Sequence, residues 1–368
     1  MEKYYNTLLE HLDGYTVMGL FEGKRNINDI VTLQTGHKGR VFFFDQEPMI
    51  KSVDDELWDY VFQEPTIFAN SELHSADKEY VKNKYPNFID WYFFSHGLVA
   101  REWFSAQRHN YAGWIEQKTT VLDCNLISGF RQYRIYLIYK LTDHGLEHDS
   151  YISFNGTNWK NELKDNDLFN ILQLPKRKQE RIPKKKISYD NWGDDQLLSN
   201  GLMQSRIPMD FYSRVNYITV SETLCVENKR HLTEKIFKPI AAGKPFVLAG
   251  GVNNLEYLRS YGFKTFGDIW NENYDNIVDP KERLDALFQL TGYDLNIGSQ
   301  YLDSTLDPIA FAEEERKIPA KLAMFEQAHE IAQENRKYFW SDKFYQTVMK
   351  EAIDNLEFAK EELSSKCI

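Results

Sequence analysis

The chain repeatedly sets a short, unbroken apolar run in front of a helix-like stretch, and that alternation leaves it few folds. The runs are VFFFD (41–45), TIFAN (66–70), WYFFS (91–95), TVLDC (120–124), YISFN (151–155), YITVS (217–221) and PFVLAG (245–250). They are continuous in hydrophobicity rather than alternating, the pattern of strands covered on both faces. Helical patterns follow most of them, around 53–62, 76–84, 99–106, 130–142, 234–242 and 253–261. Strands alternating with helices predict an α/β architecture with parallel sheets. From about Pro280 onward the pattern changes to charged, amphipathic helices, the last capped at Ser341 or Asp342.

With 368 residues the chain is long enough for two domains. The expected division is an N-terminal Rossmann-like domain over 1–118 and a second such domain over 119–330. C-terminal helices over 331–368 are expected to pack back on the first. The formal charge of −11 excludes a global basic field for nucleic acid. Basic charge is instead concentrated in LPKRKQERIPKKK, within an insertion expected at about 157–210. Lys184, Lys185 and Lys186 there are candidate contacts for a phosphate-bearing acceptor, set against a plain solvated loop. Cys124, Cys225 and Cys367 are widely spaced, form no metal knuckle and predict a reducing compartment. The first residues lack the apolar core of a signal peptide, and no stretch approaches a membrane span, so a cytoplasmic protein is expected.

In open parallel sheets ligands bind beyond the carboxyl ends of strands. The residues after each apolar run are therefore the candidates. In the first half these are Asp45 and Glu47, then Glu72, then His96. In the second half they are Asn125, with Arg131 and Arg134 opening the next helix, then Ser221 and Glu222, then Thr233, Glu234 and Lys235. Thr233 is placed to cap a helix, and Lys235 gains nothing from the positive end of a helix dipole unless an anion sits there. Glu234 suits a vicinal diol such as ribose. The segment Asp165–Asp167 has the spacing of a metal-binding acid pair but lies in a polar stretch away from any strand end, so no metal is assigned.

The run SET followed by LTEKIFKPIAAGKPFVLAG resembles the donor-binding region of the α1,3-fucosyltransferase-type glycosyltransferases. NNLEYLRSYGFKTFGDIWNENYD (253–275) and CNLISGFRQYR (124–134) are similar to segments of related phage and bacterial transferases. The resemblance covers about 120–280. It implies a GT-B fold, with two facing Rossmann-like domains and a nucleoside-diphosphate sugar held by the second. It gives Arg131 and Lys235 to the diphosphate and Glu234 to hydroxyls. The family glutamate falls on Glu222 or on Glu227. The catalytic base is expected at Glu47, with Asp45 second. The implied reaction is inverting transfer of the sugar to an acceptor hydroxyl on a glycan or a hydroxymethylated DNA base, with no metal or other cofactor. Two other classes fit the same sequence: a non-catalytic nucleotide- or sugar-binding module, and a nucleic-acid-binding protein that uses residues 176–186.

Overall fold

A computed structural model describes residues 3–21, 26–44, 50, 53–110, 123–127, 132–144, 150–154, 207, 209–213, 215–225, 229–295 and 308–366. The fold is α/β, with mostly parallel sheets and a helical C-terminal region. It divides into two compact units. One comprises Met1–Trp103, Asn228–Glu234 and Ser341–Ile368; the other comprises Phe104–Glu227 and Lys235–Trp340. The observed division thus falls at Trp103, and a short internal segment, 228–234, groups with the N-terminal unit. The expected insertion lies largely outside the described residues.

The first unit opens with α1 (Lys3–Glu10), followed by β1 (Thr16–Leu20), β2 (Val31–Gln34) and β3 (Arg40–Phe44). It continues with α2 (Asp55–Val61), β4 (Thr66–Asn70), α3 (Ala76–Lys84), β5 (Phe88–Tyr92) and α4 (Ser95–Trp103). Its five-stranded sheet runs β2-β1-β3-β4-β5, with β2 antiparallel to β1 and the other pairings parallel. The side-chain period of a strand explains the continuous Phe run of β3. Phe42 and Phe44 face a core with Trp58 of α2, Phe62, Phe68 and Phe88. Phe43 turns to the other face, 5.5 Å from the Tyr5 ring of α1 and 5.3 Å from Trp91. Each face is covered, so alternation with polar residues would leave polar groups buried without water.

The last strand of this sheet is shifted from its expected place. The run 91–95 predicts a strand there, but β5 ends at Tyr92, and Phe93 and Phe94 are buried beyond it. The strand starts earlier because the polar Asp90 is satisfied inside it, by Lys78 Nζ at 2.9 Å and Asn70 Nδ2 at 2.8 Å. The final helix, α11 (Asp342–Lys366), covers β5. Trp91 Nε1 donates to Ala352 O (2.8 Å) and Asn355 Nδ2 to Tyr92 O (2.9 Å). Lys366 Nζ reaches Phe88 O (3.1 Å), so helix side chains serve the carbonyls of a strand that lies at the sheet edge among the described strands. Phe344 N donates to Ser341 Oγ (3.4 Å), as the expected cap requires.

The second unit holds β6 (Asp123–Ile127), α5 (Gln132–Asp143), β7 (Ser150–Phe154) and α6 (Met209–Tyr212). Then come β8 (Ile218–Ser221), α7 (Glu234–Ala242), β9 (Phe246–Ala249), α8 (Asn254–Ser260), α9 (Pro280–Gln289) and α10 (Pro308–Trp340). Its sheet, β7-β6-β8-β9, is parallel throughout the described strands. The chain leaves β6 for β7 on one side and returns to β8 on the other. The strand order therefore reverses between β6 and β8, which makes the carboxyl ends of these strands the place where such sheets bind ligands. Among the described residues no helix is long and apolar enough to cross a membrane.

Candidate functional site

At the carboxyl end of β8 the chain turns through Ser221, Glu222, Thr223, Leu224 and Cys225, all buried. Glu222 N donates to Ala249 O (3.0 Å), extending the pairing with β9 by one residue. Thr223 N then donates to the Glu222 carboxylate at Oε2 (3.3 Å). Thr223 Oγ1 accepts from Lys235 Nζ (3.2 Å), the second residue of α7. Lys235 is half-buried, whereas Ile236, Phe237, Ile240 and Ala241 are fully buried on the opposite face. That spacing is the apolar stripe of an amphipathic helix, and it sends Lys235 toward the strand-end loop. Pro239 lies inside α7 and has no N–H, so it cannot bond the Lys235 carbonyl.

The two helices that follow sheet strands here differ at their N-termini. In α8 the positive end is already occupied by a carboxylate of the chain itself. Both oxygens of Asp275 accept from Leu255 N (3.1 Å each), and Asn253 N donates to the Asp275 carbonyl (2.8 Å). Asn253 stands there in the left-handed region, at φ 59°. Burial pushes the Asp275 carboxyl up from its ordinary range, while hydrogen bonds from the Leu255, Glu256 and Asn254 amides oppose the shift. Between β9 and α8 a Cβ at Gly250 would come within 2.7 Å of Asn254 Nδ2, so a larger residue there requires that side chain to shift. In α7 the first turn instead carries Glu234 and an ammonium.

The expected donor residues sort into distinct environments. Ser221, Glu222 and Lys235 meet around Thr223, as described. Arg134 is buried, and its guanidinium turns to the backbone: Nη2 donates to Ser221 O (2.8 Å) and Glu222 O (2.9 Å), and Nε to Tyr133 Oη (3.1 Å). Asn125 lies within β6, paired in register with Ile152 and Thr219, rather than beyond the strand end, because β6 runs to Ile127. Thr233 directly precedes α7 and is fully buried, and Glu234 is buried as well. The division between the units runs between Glu234 and Lys235. Arg131 and Glu227 lie outside the described residues.

In the N-terminal unit Asp45 and Glu47 lie outside the described residues, directly after Phe44 at the end of β3. Glu72 follows β4 and is 2% exposed. Its Oε2 stands 3.5 Å from Lys229 Nζ, which also pairs with Asp77 at 2.6 Å. Asn70 Oδ1 accepts from Glu72 N (3.2 Å), and Lys78 Nζ donates to Glu72 O (2.7 Å). His96 is the second residue of α4 rather than a strand-end residue, which follows from the shift of β5. Its ring meets that of the buried His231 edge-on, at 4.9 Å between centroids. Lys184, Lys185 and Lys186 lie outside the described residues.

Three participants escaped the sequence reading: Tyr133, Lys229 and His231. Lys229 and His231 stand in a polar run, KRH, immediately before the Thr-Glu-Lys stretch, and that run is the only signal the sequence offers for them. The bridge between Leu73 and Arg230, with Arg230 N donating to Leu73 O at 3.2 Å, docks that segment on the stretch that follows β4. Among the described residues no group of three or more His, Cys, Asp or Glu side chains is placed to hold a metal ion. Comparison with protein-family models, with curated proteins and with solved structures returns no match to this chain.

Proposed function

We propose that the chain is a glycosyltransferase that moves a sugar from a nucleoside-diphosphate sugar to an acceptor hydroxyl, with inversion and without a metal. The observation that carries this reading is the meeting of Lys235, on the first turn of a nine-residue helix, with Ser221–Glu222–Thr223 at the reversal point of a parallel sheet. Backbone N–H groups of a helix start and an adjacent ammonium together hold a diphosphate. The neighbouring helix start is occupied by Asp275, whereas the first turn of α7 carries an ammonium that supports an anion there. The GT-B organisation belongs to the same proposal.

In the proposed reaction the acceptor oxygen forms a bond to the anomeric carbon as the bond from that carbon to the diphosphate breaks. Negative charge grows on the leaving diphosphate, where Lys235, Arg131 and the N–H groups of α7 stabilise it. The acceptor proton passes to a carboxylate, assigned to Glu47 with Asp45 as second choice. The acceptor is a glycan or a hydroxymethylated DNA base, and the latter would engage Lys184–Lys186.

A panel of uridine, guanosine, thymidine and adenosine diphosphate sugars, scored by melting temperature and by slow hydrolysis, tests the reading. A cognate donor at a hundredfold excess over its Kd adds about 2.7 kcal/mol of stability. Binding with no hydrolysis and no transfer would favour a non-catalytic module. Salt-sensitive DNA binding with no nucleotide effect would favour a nucleic-acid-binding protein.

A further inference from the structure

Two buried arginines and a tyrosine converge on the backbone of the loop after β8. Arg283, on α9, is 2% exposed, and among the described residues its hydrogen bonds end on carbonyls alone. Nη1 donates to Ile277 O (2.5 Å) and Val278 O (3.2 Å), and Nη2 donates to Cys225 O. α5 supplies Tyr133, whose hydroxyl donates to Glu222 O, and Arg134, which donates to Ser221 O and Glu222 O. The carbonyls of Ser221, Glu222 and Cys225 thus all accept from buried side chains of α5 and α9. The two helices are themselves joined by Asp285 of α9, which accepts from Tyr136 Oη (2.5 Å) and pairs with Lys140 (2.7 Å), both on α5.

Burying a guanidinium is costly, and carbonyl dipoles offset its charge only in part. A core brace made of leucines would hold α5 against α9 without that cost. Two charged side chains aimed at one loop make sense where a loop's carbonyl oxygens must be turned away from a bound anion and a positive field is wanted beneath it. The same loop holds Thr223, whose hydroxyl accepts from the Lys235 ammonium. Ser221 Oγ, with no hydrogen-bond partner among the described residues, is buried in the same loop.

We infer that Arg283, Arg134 and Tyr133 are positioning residues that fix the Ser221–Cys225 loop for a nucleoside diphosphate, acting through the backbone without touching the ligand. The inference rests on the proposed function and names what sets the affinity of that site.

The full-length chain and its Arg283→Lys and Tyr133→Phe variants decide it. Lysine keeps the charge of Arg283 but cannot reach two separated sets of carbonyls at once. Phenylalanine removes one hydroxyl and spares the ring, so it serves if Arg283→Lys fails to fold. Hydrogen exchange reports the loop, and calorimetry with UDP, GDP, TDP and ADP, well below the melting temperature, reports the site. The expected result is faster exchange at residues 221–225 together with a Kd raised about tenfold, the size of one lost hydrogen bond to a charged group. Faster exchange with a Kd within twofold of wild type overturns the inference, because the arginines then only brace the fold. Unchanged exchange overturns it whatever the affinity. If the wild-type chain binds none of the four nucleotides, the proposed function fails first and the inference goes with it.

Discussion

Replacing Lys235 by alanine separates the function of α7 from its stability. Lys235 occupies the second position of the helix, where a cation opposes the helix dipole at a cost of about 0.3–1 kcal/mol. Alanine removes that penalty and has the best helix propensity. Without ligand the variant loses, among its contacts, the hydrogen bond to Thr223 Oγ1, worth about 1 kcal/mol. That loss opposes the gain in helix propensity, so the melting temperature of the ligand-free variant is measured alongside binding. Binding should respond very differently. An ammonium about 4 Å from one phosphate charge near a protein surface gains about 4 kcal/mol. Giving up the Thr223 bond returns about 1 kcal/mol of that. The net of about 3 kcal/mol agrees with the upper end of a charge-assisted hydrogen bond and corresponds to a Kd raised about 150-fold. Screening lowers the difference at high salt. Calorimetry with the nucleoside diphosphate that best protects the wild type measures it, with Lys238→Ala on the same helix as the control. A Kd within twofold of wild type, with circular dichroism unchanged, would refute the assignment of α7 as the diphosphate site.

Further outcomes are expected in the same protein. Glu47→Gln should lower turnover by about 10²–10⁴ and leave nucleotide affinity intact, with Asp45→Asn doing less; the reverse order in single-turnover kinetics exchanges their roles. Lys229→Met removes the buried partner of Asp77 and Glu72 and should destabilise the chain by about 3 kcal/mol in urea unfolding, whereas a change under 1 kcal/mol would show the pair to be dispensable. Although burial pushes the Asp285 carboxyl up, hydrogen bonds from Lys140, Lys281 and Tyr136 outweigh this and hold it below its ordinary value. Its stabilisation is therefore present above about pH 4 and lost as the pH falls through the lowered value. The stability gap between wild type and Asp285→Asn should close over that range, and a gap independent of pH contradicts the pairing. Reversing the charge of Lys184, Lys185 and Lys186 should weaken DNA binding and flatten its salt dependence; no change in either makes the basic stretch a solvated linker and favours a glycan acceptor.

The class of fold was legible because hydrophobicity and chain period report burial directly. A run such as VFFF must be covered on both sides, and Phe42 and Phe43 do face opposite cores, toward Phe68 and toward Tyr5. Strand limits were less legible. WYFFS reads as a strand because Phe93 and Phe94 are buried, yet burial does not require pairing. FID does not read as one, because Asp90 is tolerated in β5 only through Lys78 and Asn70. That error placed His96 at a strand end, whereas it lies in α4. β1 and β2 were missed altogether. Gly19 within β1 offers no side chain to read, and a Cβ there would meet the Phe21 ring at 2.8 Å.

The candidate site divides the same way. Sequence alone determines that Ser221–Thr223 follows an apolar run and that a lysine opens the next helix, since both are local in the chain. Only tertiary structure decides what those residues meet. Arg134 reads as a ligand contact by its place at a helix start, but the loop carbonyls of Ser221 and Glu222, far along the chain, capture it. Arg283 reads as an ordinary charged residue of an amphipathic helix and is in fact buried on Cys225 O. Lys229 reads as part of a polar loop and is in fact buried against Asp77 and Glu72. The physical reason is common to all of them. A charge in a sequence is assigned to solvent by default, because burying it is costly. Only the folded chain brings up the distant carbonyls and carboxylates that make the burial affordable.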